Sequence, residues 1–331
     1  MTTGLPANME GRNRVRSIVN RTTELTPLKA VATRAIALAE DERSAAMDLA
    51  TVISSDQALT AKLLRLSNSA YYGYARRIGN VREAVILLGM RTVRSVAISS
   101  GIIDAFSVVS PGAAFDMDLF WAHSVTVGLV AEVIARDTRI VRPEDAFTAG
   151  VLHDVGKLAM LICEPDAFAE LADLVVTEGV RYRDAELAVF GIGHEHVGSR
   201  LAQRWKFPDL LVDAIRWHHP DQPPSTLETL NDVVAAADLA CNREGLACGF
   251  DWTSDASRRP VLALPPAVDH AIARVHGGMP TIEGKARAFL LHVTARTPRW
   301  YATYADLDAG KAEAGVPQSP PHSSPPQTNV A

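Results

Sequence analysis

Apolar residues recur every three or four positions almost from end to end of the chain, and period-two alternation bounded by turn residues is scarce. This spacing predicts an all-α fold. Thr26-Pro27 has the form of an N-cap and N1 pair opening a helix over 28–39, since proline's fixed φ suits a first turn. Ser44 and Asp56 are placed to cap the next two helices, the second carrying Leu59, Leu63, Leu64 and Leu66 on one stripe. Asn80-Val81-Arg82-Glu83 has the form of a capping box, and Gly89 is placed to end that helix in a left-handed conformation. A further helix is expected over 92–106.

Beyond the break at Ser110-Pro111-Gly112, Asp116 or Asp118 can cap a long helix through Trp121, His123, Val127 and Val130. Pro143, Pro165 and Pro208 each open another, Gly179 stops the second of these, and 194–205, 227–241, 266–276 and 282–295 carry amphipathic faces. The expected organisation is a flexible N-terminal arm (1–21), an N-terminal helical lobe (22–110), a second helical lobe (111–245), an appended helical segment (246–310) and a Pro/Ser-rich disordered tail (311–331). The two lobes should meet near residues 108–117.

With 331 residues, 47% of them apolar, the chain can bury a sizeable core. A net charge of −5 argues against an electrostatically driven nucleic-acid binder, so direct nucleic-acid binding is not expected. Arg12, Arg14, Arg16 and Arg21 form the one obvious basic cluster near a terminus and read as a solvated arm. Cys163, Cys241 and Cys248 lack paired spacing, which points to reduced thiols. The first twenty residues contain no stretch of signal-peptide type, and no uninterrupted apolar run approaches a membrane span. The expectation is a cytoplasmic protein without membrane association.

Against this background His153-Asp154, within Leu152-His153-Asp154-Val155-Gly156-Lys157, stands out. An imidazole beside a carboxylate at a helix end can hold one cation, and the second carboxylate oxygen can reach another. A helix-end cap is the alternative. His123, His194, His218, His219 and Asp238 are further candidate ligands, each with a structural alternative. His123 could bond a carbonyl in the core, Asp238 could be a surface carboxylate, and His218-His219 could complement a helix dipole. His196, two residues from His194, points elsewhere on a helix. The rings of Trp205-Lys206-Phe207-Pro208 and Tyr71-Tyr72-Gly73-Tyr74 suit core packing, although the tyrosines could also form a docking surface.

Several motifs in order resemble those of the HDOD domain, a bacterial signalling output module related to the HD superfamily of metal-dependent phosphohydrolases. They are 56–65 (DQALTAKLLR), 67–70 (SNSA), 84–89 (AVILLG), 150–157 (GVLHDVGK), 194–198 (HEHVG), and 205–208 (WKFP) followed by Ala214-Ile215 and His218-His219. The likeness spans roughly residues 22–241. It implies a two-lobed fold, an N-terminal helical bundle plus a C-terminal HD-type helical lobe. It also implies a regulatory protein acting through binding of a signalling partner or a nucleotide, with an active metal-dependent phosphohydrolase as the alternative.

HDOD proteins commonly lack some residues of the true HD enzymes, but here the set is full. By the resemblance, His123 matches the first HD histidine, His153-Asp154 the namesake pair and Asp238 the terminal aspartate. His194, His218 and His219 match the extra histidines of binuclear members. The implied cofactor is one or two divalent ions, Fe, Mn or Zn. If the chain turns over a phosphoester, Asp154 and Lys157 are the catalytic candidates, Asp154 as the bridging ligand and Lys157 as a phosphate contact. The Gly-Tyr-Pro signature of the cyclic-dinucleotide hydrolases is missing after His218-His219, where Pro220-Asp221-Gln222-Pro223-Pro224 follows.

Overall fold

The computed structural model describes residues 9–38, 45–69, 72, 76–107, 115–220, 224–246 and 264–294, and every regular element among them is a helix. The first six helices are α1 (Met9–Leu25), α2 (Ala30–Ala37), α3 (Ala45–Ser54), α4 (Gln57–Ser67), α5 (Val81–Leu88) and α6 (Met90–Phe106). Next come α7 (Met117–Thr138), α8 (Pro143–Leu152), α9 (Val155–Cys163), α10 (Pro165–Val176) and α11 (Tyr182–Phe190). The last five are α12 (His194–Arg204), α13 (Asp209–Trp217), α14 (Leu230–Arg243), α15 (Pro266–Ala273) and α16 (Gly278–Val293).

Most of the punctuation acts as its chemistry dictates. Asp56 accepts from the Leu59 amide at 2.9 Å, Asn80 from Glu83 at 2.9 Å and Asp116 from Asp118 at 2.7 Å, each satisfying an otherwise orphaned first-turn donor. Pro143 and Pro165 sit at N1 of their helices. Gly89 has φ +84° and ψ 148°, a glycine-only region, and joins two helices directly. One helix start differs from expectation. Thr26 caps nothing ahead of it: its hydroxyl donates back to the Thr22 carbonyl at 2.8 Å, and α2 starts later, behind Lys29, without a side-chain cap. Ser44 lies outside the described residues, as do Cys248, Tyr71 and Tyr74, the expected lobe junction at 108–114 and the tail from 311.

Helices α2 to α6 pack on one another as a bundle, while α7, α8, α9, α12, α13 and α14 form the second group; α6 joins them by packing on α8. The expected arm over 1–21 is corrected, because residues 9–25 form α1, which packs on α9 and α12 and buries Val15, Ile18 and Val19. Arg14 fixes it there, donating to Glu164 at 2.9 Å and to the Val189 and Phe190 carbonyls at 3.1 and 3.0 Å. The arginines looked like solvated charges because the apolar residues between them are few. Within the appended segment, α15 and α16 pack on α7, and α16 also reaches α4.

Helix α7 and the α8–α9 stretch are both long and apolar enough to cross a membrane by length and composition. Their windows are 72% and 94% buried among the other helices, so the apolar surface is taken up by packing at the centre of the fold. Trp205 and Phe207 are core residues, and Trp205 meets Phe106 of α6 edge-on at 6.3 Å.

Two glycines set the closest approaches to the backbone of another helix. A Cβ on Gly150 would lie 2.6 Å from the Gly128 Cα, and one on Gly156 would lie 2.0 Å from the His194 carbonyl oxygen. Both clashes are with backbone, so neither can be relieved by rotating a side chain. Gly156→Ala should therefore destabilise by about 3 kcal/mol or more, the upper end of overpacking costs. Gly79→Ala, where the new Cβ meets only the Glu83 carboxylate at 3.6 Å, should change stability little. Urea unfolding of both variants checks the contrast.

Candidate metal centre

The break between α8 and α9 places His153 and Asp154 outside the regular hydrogen-bond ladder. Asp154 occupies the N-cap position of α9, yet its side chain accepts no capping bond, so the carboxylate is available to its neighbours. It is 1% exposed. A buried charge at that position needs cationic partners or a metal.

The two oxygens of Asp154 face different groups. Oδ2 lies 3.2 Å from His153 Nε2 and 4.0 Å from His123 Nε2, while Oδ1 lies 2.9 Å from His194 Nε2 and 3.6 Å from His218 Nε2. Asp238 Oδ1 closes the first group, at 3.1 Å from His123 Nε2 and 3.7 Å from His153 Nε2. His219 completes the second, its ring centroid 5.0 Å from that of His194. Two clusters of metal-ligand type result: His123, His153 and Asp238, and Asp154, His194, His218 and His219, the ligand atoms within each lying within 4.8 Å of one another. All seven residues expected from sequence converge here. They come from α7, the α8–α9 break, α12, the end of α13 and α14.

The opposite ring nitrogens decide what the site can accept. His123 Nδ1 lies 2.9 Å from the Leu246 carbonyl, His153 Nδ1 2.7 Å from Gly150 and His218 Nδ1 2.8 Å from Ile215. A carbonyl only accepts, so each Nδ1 carries a proton and each Nε2 is turned inward, where the neutral ring offers a lone pair to a metal. His123 Nε2 and His153 Nε2 are buried and have no hydrogen-bond partner. Lone pairs facing carboxylate oxygens at these distances repel unless a proton or a metal ion lies between them. An outer carbonyl or carboxylate fixing the tautomer of an inward Nε2 is the usual support of a metal-ligating histidine. The donor set therefore fits a divalent cation.

Glu186 supplies that support to His194, with Oε2 2.9 Å from Nδ1, and Asn242 donates to Asp238 at 2.8 Å. Sequence reading missed both. Asn242 is four residues after Asp238 on α14 and could have been found by helical spacing, whereas Glu186 lies on α11 and carries no such signal. His196 lies outside the two clusters and contacts Glu195 at 3.2 Å. Lys157, expected to meet a phosphate, donates to Asp154 Oδ2 at 2.6 Å and lies 4.6 Å from the centroid of the Tyr182 ring. It is buried, so its charge serves the carboxylate first.

Burial opposes charge throughout, but partners outweigh it at most positions. His194 is disfavoured as a cation by desolvation, yet Glu186 and Asp154 raise its pKa to about 10. Desolvation likewise works against ionised Asp154, and His153, Lys157 and His194 hold it well below the usual carboxylate range. Asp238 is depressed too, by the His123 contact and then His153 against the cost of burial. His218 goes down, chiefly through burial.

For the metal-free protein, His194 has a folded pKa above its ordinary 6.5, so its stabilising contribution is complete below that value and is lost as pH rises through about 10. The depressed carboxylates act in the opposite direction: their contribution is present above about 3.8 and disappears as pH falls below it. The metal-free melting temperature should thus fall from neutral toward alkaline pH. A metal ion displaces the His194 proton, so the increment in melting temperature on adding manganese should grow over the same interval. Thermal unfolding with and without manganese from about pH 6.5 to 9.5 measures both trends. Glu186→Gln, which keeps the shape and removes the outer charge, should weaken metal affinity about 10–100-fold, as read by competition with a chelating dye.

Comparison with known proteins agrees with this architecture. A curated relative from Treponema pallidum (strain Nichols), described as an uncharacterized protein, is 26% identical over 196 residues, 58% of this chain. The matched region spans only 37% of that relative's length. A crystal structure of an HDOD domain protein of unknown function from Geobacter sulfurreducens is 25% identical and superposes with a TM-score of 0.68, covering 84% of this chain and 98% of that one. A phosphohydrolase candidate from Shewanella amazonensis SB2B is also 25% identical, with a TM-score of 0.61 and coverage of 82% and 98%. The HDOD domain model matches residues 25–220, more than half of the sequence, and the chain belongs to the HDOD family.

Proposed function

We propose that this chain is a cytoplasmic regulatory HDOD protein that signals by binding a partner or a nucleotide, and that it holds one or two divalent ions, Fe, Mn or Zn, at the His/Asp centre. The observation that carries the metal assignment is the pair of inward Nε2 atoms on His123 and His153, buried without a hydrogen-bond partner and facing Asp154 and Asp238. Imidazole and carboxylate donors without thiolate suit these ions. His123, His153, Asp154 and Asp238 would hold the first, with His194, His218, His219 and the other oxygen of Asp154 holding the second.

The regulatory reading draws on where the ligands come from. They tie together α7, the α8–α9 break, α12, α13 and α14, so occupancy would clamp the second group of helices. A ligand that binds only the folded state at about 100 times its Kd contributes about 2.7 kcal/mol. Lys157 supports the same reading, because its ammonium group is already engaged by Asp154 and packed on Tyr182. His123, His153, His194 and His218 are all 2% exposed or less, which leaves little room beside them for a bulky phosphoester.

A second reading, metal-dependent phosphohydrolysis, is favoured by one observation: the two oxygens of Asp154 face separate clusters, as a bridging carboxylate does. When bound, a metal pair could supply an activated water and stabilise phosphoryl charge. The Shewanella structure carries a phosphohydrolase name of its own.

Metal content and turnover separate the readings. Protein purified without chelator should contain metal, and Asp154→Asn should lose most of it. With manganese or ferrous iron supplied, cyclic and linear nucleotides and phosphomonoesters should show no hydrolysis above that of Asp154→Asn. Metal-dependent turnover that disappears in both Asp154→Asn and Lys157→Ala, with Lys157→Ala still holding metal, would establish the hydrolase instead.

A further inference from the structure

Away from the metal centre, α1 and α12 enclose a groove of about 510 Å3. Its lining includes Arg12 and Arg16 from α1 and Arg200 and Arg204 from α12, each pair one helical turn apart. Among the described residues no carboxylate lines it, and none of the four guanidinium groups pairs with one. Like charges at this spacing repel, and here two such pairs face each other in a chain whose net charge is −5. The arginines are exposed, while Val15 and Val19 form a buried apolar floor. Asn13 and Asn20 add amides able both to donate and to accept, and Gln203 accepts from Arg200 at 2.8 Å.

We propose that this groove is a binding site for a nucleotide bearing two or more phosphates. This deepens the nucleotide-binding reading above and rests on it. Guanidinium groups match phosphate oxygens in paired, charge-assisted hydrogen bonds, and a bound polyphosphate would reverse the repulsion between the arginine pairs. The volume lies within the range of small-molecule sites, and the amides and apolar floor suit a base and sugar better than bare phosphate. Nucleic acid fits less well, because the site is short and the protein as a whole is acidic. The groove is separate from the metal centre. Helix α12 starts at His194 and carries Arg204 roughly 15 Å further along.

Calorimetric titration of the full chain with ATP and GTP, in excess magnesium so that the centre is not stripped, tests the site. A double charge reversal, Arg12→Glu with Arg204→Glu, should weaken nucleotide affinity at least tenfold while metal content and melting temperature stay at wild-type values. Asp154→Asn should lose metal and keep nucleotide affinity. Absence of nucleotide binding to wild type, or equal binding to the double variant, overturns the proposal. Nucleotide affinity lost together with metal in Asp154→Asn also overturns it, by placing the ligand at the metal centre, while leaving the broader binding function standing. A single-stranded oligonucleotide or an acidic peptide bound at least tenfold more tightly than ATP through the same arginines would assign the groove to a macromolecule instead.

Discussion

The buried carboxylate of Asp154 is the constraint around which the second half of the molecule is organised. A carboxylate removed from water is tolerated only when positive charge surrounds it. Protonated His194 at 2.9 Å and the Lys157 ammonium at 2.6 Å supply it, and the Nε2 atoms of His123, His153 and His218 also lie within 4.0 Å of its oxygens. The groups that meet this need come from elements distant in the chain, so satisfying Asp154 amounts to assembling α7, α9, α12 and α13 correctly. The same geometry turns buried Nε2 atoms of His123 and His153 inward without a hydrogen-bond partner, an arrangement that a divalent cation suits.

Two local features make that assembly possible. The interruption between α8 and α9 frees His153 and Asp154 from positions that a continuous helix would impose. Glycine then brings the backbones close: Gly156 lets α9 approach the His194 carbonyl, and Gly150 meets Gly128 where α8 crosses α7. Side chains at those crossings would push apart helices whose ligands must sit within a few ångströms. Packing tolerance and site chemistry are therefore one requirement in this region.

Helix α12 connects the two sites. Its first residue is His194, its glycine face packs on α9, and its far end lines the arginine groove with α1. Arg14 holds α1 against Glu164 and the end of α11, the helix whose Glu186 orients His194. The groove and the centre thus lie at opposite ends of one helix and use different side chains of it.

Local chemistry was legible from sequence wherever the signal was itself local. The 3.6-residue period declared the fold class, Asp56, Asn80 and Asp116 marked their helix starts, and Pro143 and Pro165 sat where fixed φ is useful. The seven candidate ligands could be named because their types and order resemble a family, although nothing in their spacing revealed that they share one cavity. Thr26 was misjudged because a hydroxyl can bond backward as readily as forward, and α1 because its pattern is rich in arginine and sparse in apolar residues. Tertiary structure alone decided that Glu186 supports His194, that Lys157 turns to Asp154, and that Arg12 and Arg16 face Arg200 and Arg204. In each of these cases the partners lie on different helices or depend on a side-chain direction, and hydropathy periodicity reports which face of a helix is buried but not what that face will meet.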